Sequence, residues 1–352
     1  MPQAHRILLV HQFGLPAISG LTVTVAELAR LIPQLDSGIS ASVATYEDFD
    51  PAGLLDALDR EHRATTCVIG LNLHIEVGWQ HTVALAGWCS RNEIPLNVYV
   101  HDYWPHHRTM LSVLTGQFAA RVLAITPKIV TDLAVDGFDA VLVPAGVAVP
   151  EYPPIRPRVS RDQPTVGVVG RLVPRKRFPD VVASYCIAAA EMEIALEMLL
   201  PPSLVYEVDQ DDEQISDINR ILSECHPSAT VMVDRSPSLG VDYSRWSIYV
   251  SAAEYEGLSM TPIEAILQGC PVLLSDISPH RNIVDALLPD SQAQVLFSVG
   301  DRGHLATLLR DELLTQSRRF EIHRRRKRIH EEIKARWSLA NTARELISIA
   351  EA

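Results

Sequence analysis

Two short stretches in the second half of the 352-residue chain concentrate side chains able to do chemistry. The first, Val169-Gly170-Arg171-Leu172-Val173-Pro174-Arg175-Lys176-Arg177, closes a buried-strand pattern on a glycine and follows it at once with a cluster of cations. Arginine offers a planar fork of N–H donors and lysine a compact charge, so such a cluster at a strand end suits a diphosphate. The second stretch, residues 250–271, carries Glu256 in a Gly- and Ser-containing turn and Glu264 about one turn into the helix that follows. Pro262 fits the first helical turn, where its missing N–H is no loss, and Gly269 marks the helix end. Backbone N–H groups in that turn can meet a phosphate while the carboxylates accept from hydroxyls. Carboxylates beside an anion site make chemical sense when the ligand carries sugars as well as phosphates.

The elements that must position these stretches are short apolar, β-branched runs separated by helical patterns. In the first half they are residues 6–11, 41–45, 67–70, 96–101, 122–125 and 140–143, and in the second 165–169, 195–199, 230–233, 248–250, 272–274 and 295–297. Strands buried on both faces and separated by helices predict parallel α/β sheets, one in each half. Between them, residues 150–164 carry five prolines, a composition for an extended linker. The division expected is 1–150 for the first domain, 151–164 for the linker and 165–335 for the second, with a helical segment over 336–352. Doubly wound sheets bind ligands outside the carboxyl ends of their strands, which is where both chemical stretches fall.

Composition narrows the partners. With 31 Lys plus Arg against 43 Asp plus Glu, the net charge of −12 argues against nucleic acid, which needs a broadly positive surface. Five widely spaced cysteines with no Cys-x-x-Cys signal neither a disulfide framework nor a zinc site, and a reducing cytoplasm fits them best. The start of the chain shows no secretory signal pattern, and no window is apolar enough for a membrane span. Between Ser317 and Arg336 nine basic residues face three acidic ones. Because they recur on every side of the helix they read as a solvated face, with transient membrane contact as the most this segment would add. Asp209-Gln210-Asp211 and Asp48-Phe49-Asp50 fit an Asp-x-Asp metal pattern, but both read as solvated acidic loops with no buried strand leading into them.

The joint pattern of Gly170-Arg171, Lys176, Glu256-x7-Glu264, Gly269-x-Pro271 and Ser275-Asp276 resembles the retaining glycosyltransferases of family 4. The resemblance extends over most of the chain, through residues 11–20 after the first strand, His101-Asp102, and residues 337–344 near the C-terminus. Departures are Ser19 in place of the first Gly of a Gly-Gly pair, Ala145 before Gly146 in place of Asn, Asn282 in place of Glu, and Pro201-Pro202 and Arg235 where glycines are frequent.

The resemblance implies the α/β GT-B fold, two doubly wound Rossmann-like domains facing a cleft, with the C-terminal helix crossing back to the first domain. It implies transfer of a hexose from a nucleotide diphosphate sugar, UDP- or GDP-linked, to a hydroxyl acceptor with retention of anomeric configuration, without a cofactor or a metal ion. Arg171 and Lys176 would neutralise the diphosphate, Glu256 would hold the sugar hydroxyls and Glu264 the ribose. Gly20 would let the backbone approach the phosphate, and the backbone around Gly257, Leu258, Ser259 and Met260 would complete the cradle. His101 would sit at the reacting carbon, whereas His74, His81, His106 and His107 read as structural or solvated. The acceptor would be a glycan, a lipid-linked glycan or another hydroxyl compound. The alternative is a non-catalytic nucleotide-sugar or glycan-binding subunit on the same fold.

Overall fold

The structure, a computed structural model, describes residues 5–11, 20–45, 50–73, 78–151, 163–201, 208–226, 230–234 and 240–352. The chain divides into unit 1, made of Met1–Ala148 and Ala335–Ala352, and unit 2, Val149–Lys334. The Pro-rich stretch falls largely outside the described residues, as do Ser19, His74, Asp48, Pro202 and Arg235.

Unit 1 begins with β1 (His5–His11), α1 (Gly20–Leu35), β2 (Ile39–Thr45), α2 (Pro51–Glu61), β3 (Cys67–Leu71) and α3 (Trp79–Arg91). It continues with β4 (Leu96–Val100), α4 (Arg108–Phe118), β5 (Arg121–Ala124), α5 (Pro127–Val135) and β6 (Ala140–Leu142). The six strands form one parallel sheet in the order β2-β1-β3-β4-β5-β6. Every residue of β3 and β4 is buried, as expected for central strands covered by helices on both faces.

Unit 2 runs β7 (Thr165–Val169), α6 (Phe178–Ala189), β8 (Ala195–Leu199), α7 (Val208–Ser223), β9 (Thr230–Asp234), β10 (Ile248–Ser251) and α8 (Met260–Leu267). Then come β11 (Val272–Ser275), α9 (Ser278–Leu287), α10 (Gln292–Val295), β12 (Leu296–Phe297), α11 (Arg302–Thr315) and α12 (Ser317–Trp337). Its parallel sheet has the order β12-β11-β10-β7-β8-β9. Val166, Val168, Leu196, Met198, Ile248 and Val250 from the strands pack with Val181, Tyr185 and Leu309 from the helices into its core. Gly167 in β7 is dictated by packing, since a Cβ there would lie 1.8 Å from the indole of Trp246.

After α12 the chain ends in α13 (Leu339–Glu351), which belongs to unit 1 and packs along α1. The return is clamped at Gly146. Val147 N–H donates to Trp337 O (2.7 Å), Leu339 N–H donates to Val147 O (3.0 Å), and a Cβ on Gly146 would lie 2.4 Å from the Ser338 backbone.

Two expectations are corrected. Cys186 on α6 and Cys225 just past α7 form a disulfide, with Cα atoms 5.2 Å apart. Their wide spacing gave no sign of it, because the proximity comes from α6 packing beside α7 and not from sequence separation. Asp209 and Asp211 belong to the start of α7 and not to a loop. Asp50 is the N-cap of α2, accepting from Gly53 N–H at 2.6 Å, which accounts for a carboxylate at that position. No described helix is long and apolar enough to cross a membrane.

Candidate functional site

In unit 2 the strand order changes direction between β7 and β10, and ligands of such sheets bind outside the carboxyl ends of the strands at that switch point. The segments leaving the two strands are residues 170–177 and 252–259, the two stretches singled out by their chemistry. Gly170 has φ +147°, a conformation side chains rarely adopt, and its N–H donates to Leu199 O at 3.1 Å as the chain turns out of β7. A 3₁₀ turn over Pro174–Lys176 follows and ends on Arg177 in the left-handed region, φ +52°.

This geometry sorts the consecutive cations. The Lys176 ammonium is bonded to Glu256 Oε1, and the Arg175 guanidinium stands 3.8 Å from Glu256 Oε2. Arg175 also donates to Tyr255 O at 3.4 Å, and Glu254 N–H donates to Arg175 O at 2.9 Å, so the two strand-end segments are joined through backbone as well as charge. Arg177 turns away, donating to Asp180 at 2.6 Å and to Glu254 at 3.0 Å. Arg302 takes the other Asp180 oxygen at 2.7 Å. Arg171 sits half-buried directly after Gly170. Glu256 is buried, which acts to raise its pKa; Lys176 first and Arg175 next outweigh that and hold it below the ordinary carboxylate range.

Glu264 has a different setting. Its Oε2 accepts from the Tyr243 hydroxyl at 2.8 Å, and Tyr243 is itself fixed by a bond from its N–H to Gln268 Oε1 at 3.0 Å. Burial pushes the Glu264 pKa up, with the Tyr243 bond opposing. Between the two carboxylates, Gly257, Leu258 and Met260 are half-exposed and Ser259 is buried at the start of α8. Ser259 Oγ lies 2.9 Å from His280 Nε2, and His280 Nδ1 lies 2.8 Å from Ser275 O and 3.1 Å from Ser275 Oγ. The Ser275 hydroxyl donates to Ala253 O. His280 is fully buried, and that burial pushes its pKa down to about 4 although Glu256 works the other way.

The remaining expected residues belong to unit 1. His101 follows β4, half-buried, with its N–H donating to Asn72 Oδ1 at 2.8 Å and its ring edge-on to Tyr99 at 4.6 Å. Gly20 opens α1. His107 is buried in the turn after β4, its Nδ1 accepting from Trp104 N–H at 3.4 Å.

Unit 2 thus brings Lys176 onto Glu256 and sets residues 257–260 between Glu256 and Glu264, but among the described residues the direct partner of Glu264 is Tyr243 and not a cation. Arg175, Tyr243, Ser275 and His280 are site neighbours that spacing did not single out as site residues. Arg175 lies in the basic cluster and Ser275 in the quoted motif, so both carried a signal. Tyr243 and His280 come from a 3₁₀ turn and from α9, and only the fold brings them in.

The fold these elements define is α/β GT-B, with two doubly wound parallel sheets in one chain. Solved structures share it across nearly the full length. Sucrose-phosphate synthase from Thermosynechococcus elongatus aligns with TM-score 0.73 and 16% identity, covering 99% of this chain and 98% of that one. HepE of Anabaena, in complex with UDP and glucose, aligns with TM-score 0.71 and 15% identity over 99% of each chain. The E. coli trehalose-6-phosphate structure bound with UDP-2-fluoro glucose aligns with TM-score 0.68 and 12% identity over 98% of each. No protein-family model and no curated protein sequence matches the chain.

Proposed function

We propose that the protein is a retaining glycosyltransferase, similar to family 4, that moves a hexose from a nucleotide diphosphate sugar to a hydroxyl acceptor in polysaccharide, glycolipid or glycoconjugate synthesis. The observation that carries this reading is the Lys176–Glu256–Arg175 cluster at the β7/β10 switch point, with Glu264 one helical segment away. Cations and carboxylates interleaved at one strand end match a ligand that is both a diphosphate and a polyol. Structures of the same fold hold UDP with glucose and UDP-2-fluoro glucose, which supports a UDP-linked donor, with GDP as the second base.

In this reading Arg171 and Lys176 take the growing negative charge of the leaving diphosphate, a task of fixed electrostatics. Glu256 accepts from the sugar hydroxyls, Glu264 from the ribose, and the backbone at Gly257, Leu258, Ser259 and Met260 donates to phosphate. The family resemblance assigns Gly20 a phosphate contact and His101 the reacting carbon. The acceptor hydroxyl attacks from the leaving-group face and its proton passes to a phosphate oxygen. The enzyme works in the cytoplasm, and a lipid-linked acceptor is met through no more than transient membrane contact.

Thermal stabilisation by UDP-, GDP-, ADP- and dTDP-sugars identifies the donor, because a ligand that binds only the folded state raises Tm. Transfer is then followed by NMR in excess EDTA, and the product's anomeric coupling should match the donor's. Stabilisation without turnover on any acceptor would leave a binding subunit; an inverted product, or turnover only with added manganese, would overturn the mechanism.

A further inference from the structure

We propose that Tyr243 is a positioning residue for the donor nucleotide, fixing the Glu264 carboxyl group so that one of its oxygens meets the ribose hydroxyls; the inference rests on the glycosyltransferase reading above. The phenol is the donor of this pair. Burial first, and the Glu264 carboxylate next, hold the Tyr243 hydroxyl protonated well above its ordinary pKa, and it donates to Glu264 Oε2 at 2.8 Å. Among the described residues nothing bonds to Glu264 Oε1, and Glu264 keeps part of its surface accessible. A ribose hydroxyl both donates and accepts, so it can meet Oε1 with or without a proton there.

Tyr243 is itself held on every side. It is 2% exposed, and its ring stands edge-on to Trp246, with centroids 5.5 Å apart, and to Tyr249, at 5.9 Å. Trp246 is fixed in turn, its Nε1–H donating to Glu197 Oε2 at 2.9 Å. Gln268, just past α8, ties the Tyr243 turn to the helix that carries Glu264: its Oε1 accepts from Tyr243 N–H at 3.0 Å and its Nε2 donates to Val241 O at 3.1 Å. A glutamate side chain loses rotamer freedom when it is pinned on a ligand, and here the phenol has already imposed that loss on folding. The carboxyl group is preorganised before any nucleotide arrives.

Tyr243→Phe removes the hydroxyl and keeps the ring against Trp246 and Tyr249. Calorimetric titration, on variants whose thermal unfolding shows them folded, compares UDP or GDP, whichever the wild type binds, with the 2′,3′-dideoxy form of the same nucleotide. The wild type should bind the full nucleotide at least about tenfold more tightly than the dideoxy form, and Tyr243→Phe should weaken the full nucleotide about tenfold, the scale of one hydrogen bond, and the dideoxy form less than about twofold. In a Glu264→Ala background, where the phenol has no carboxyl group to hold, Tyr243→Phe should cost less than about twofold further. Unchanged affinity in Tyr243→Phe, equal losses for the two nucleotides, or losses that add in the double variant would overturn the role of Tyr243 and leave the glycosyltransferase reading standing. A wild-type protein that binds the full and dideoxy nucleotides equally would overturn it in the same way. One that binds neither UDP nor GDP removes that reading and this inference together.

Discussion

Glu256 and Glu264 lie eight residues apart, one in the loop leaving β10 and the other inside α8, and their surroundings push them in opposite directions. Glu256 is held by Lys176 and Arg175 and stays ionised well into acid. Among the described residues Glu264 meets a phenol and no cation, and burial favours its protonated form. Two identical side chains in one motif are thus prepared for different work. A carboxylate locked to a cation is a fixed anion whose oxygens and partner can orient a polyol and its phosphate. A carboxyl group held by one neutral donor is a hydrogen-bond partner that tolerates neutralisation.

The strongest test of this difference replaces each carboxylate with its neutral isostere. Glu256→Gln should lower transfer on the order of 100-fold, the cost of removing one fixed charge that acts in the transition state, while leaving Lys176 without its anion. Glu264→Gln keeps an acceptor for Tyr243 and should cost no more than about tenfold, seen mainly in the donor KM. At pH 7 thermal unfolding should separate them as well. Loss of the Lys176 partner destabilises by about 2–3 kcal/mol, the size of a charge-assisted bond in a mostly buried setting, whereas Glu264→Gln leaves Tm unchanged or raises it. Equal losses in both variants would erase the distinction.

The next effect in size is pH-dependent. Glu256 has a folded pKa below its unfolded value, so the stability it contributes is complete above the ordinary glutamate pKa of about 4.3 and fades as the pH falls through the lower folded value. Lys176→Met removes the largest cause of that depression. The variant should therefore lose stability at pH 7 and show a flatter fall in Tm between neutral and acid pH than the wild type. Glu264 has the opposite sign: its raised folded pKa means that ionisation weakens the native state as pH rises. A Lys176→Met protein with the wild-type acid profile would show that Glu256 is held by Arg175 alone.

How far this difference was legible in the sequence follows from what each partner needs. The strands were readable because central parallel strands must be apolar on both faces, and β7 and β10 announce themselves with Val166-Gly167-Val168-Val169 and Ile248-Tyr249-Val250. Lys176 and Glu256 were readable because strand ends in a doubly wound sheet carry ligand groups. Tyr243 was not, since its bond to Glu264 depends on a 3₁₀ turn seated against α8, and nothing in the spacing of the two residues encodes that. His280 was hidden for the same reason, as a histidine on a helix that becomes informative only once Ser259 and Ser275 surround it. The Cys186–Cys225 bond is a third case, created by helix packing alone.

The smallest expected effect lies at the neighbour of Lys176. Arg177 is the next cation in the chain, yet its left-handed backbone turns it onto Asp180 and onto Glu254, whose side chain is 47% exposed. Water screens an ion pair this open, and such pairs contribute about 0–1 kcal/mol. Glu254→Gln should therefore leave transfer within about twofold of wild type and move stability by less than about 1 kcal/mol. The buried Asp180 keeps both Arg177 and Arg302, so the loop conformation that presents Lys176 survives the change. Steady-state kinetics and thermal unfolding on this single variant set the boundary of the site. A loss of tenfold or more would mean that Glu254, two residues before Glu256, shares its work, and that the contrast between a cation-locked carboxylate and its neighbours does not stop at Lys176.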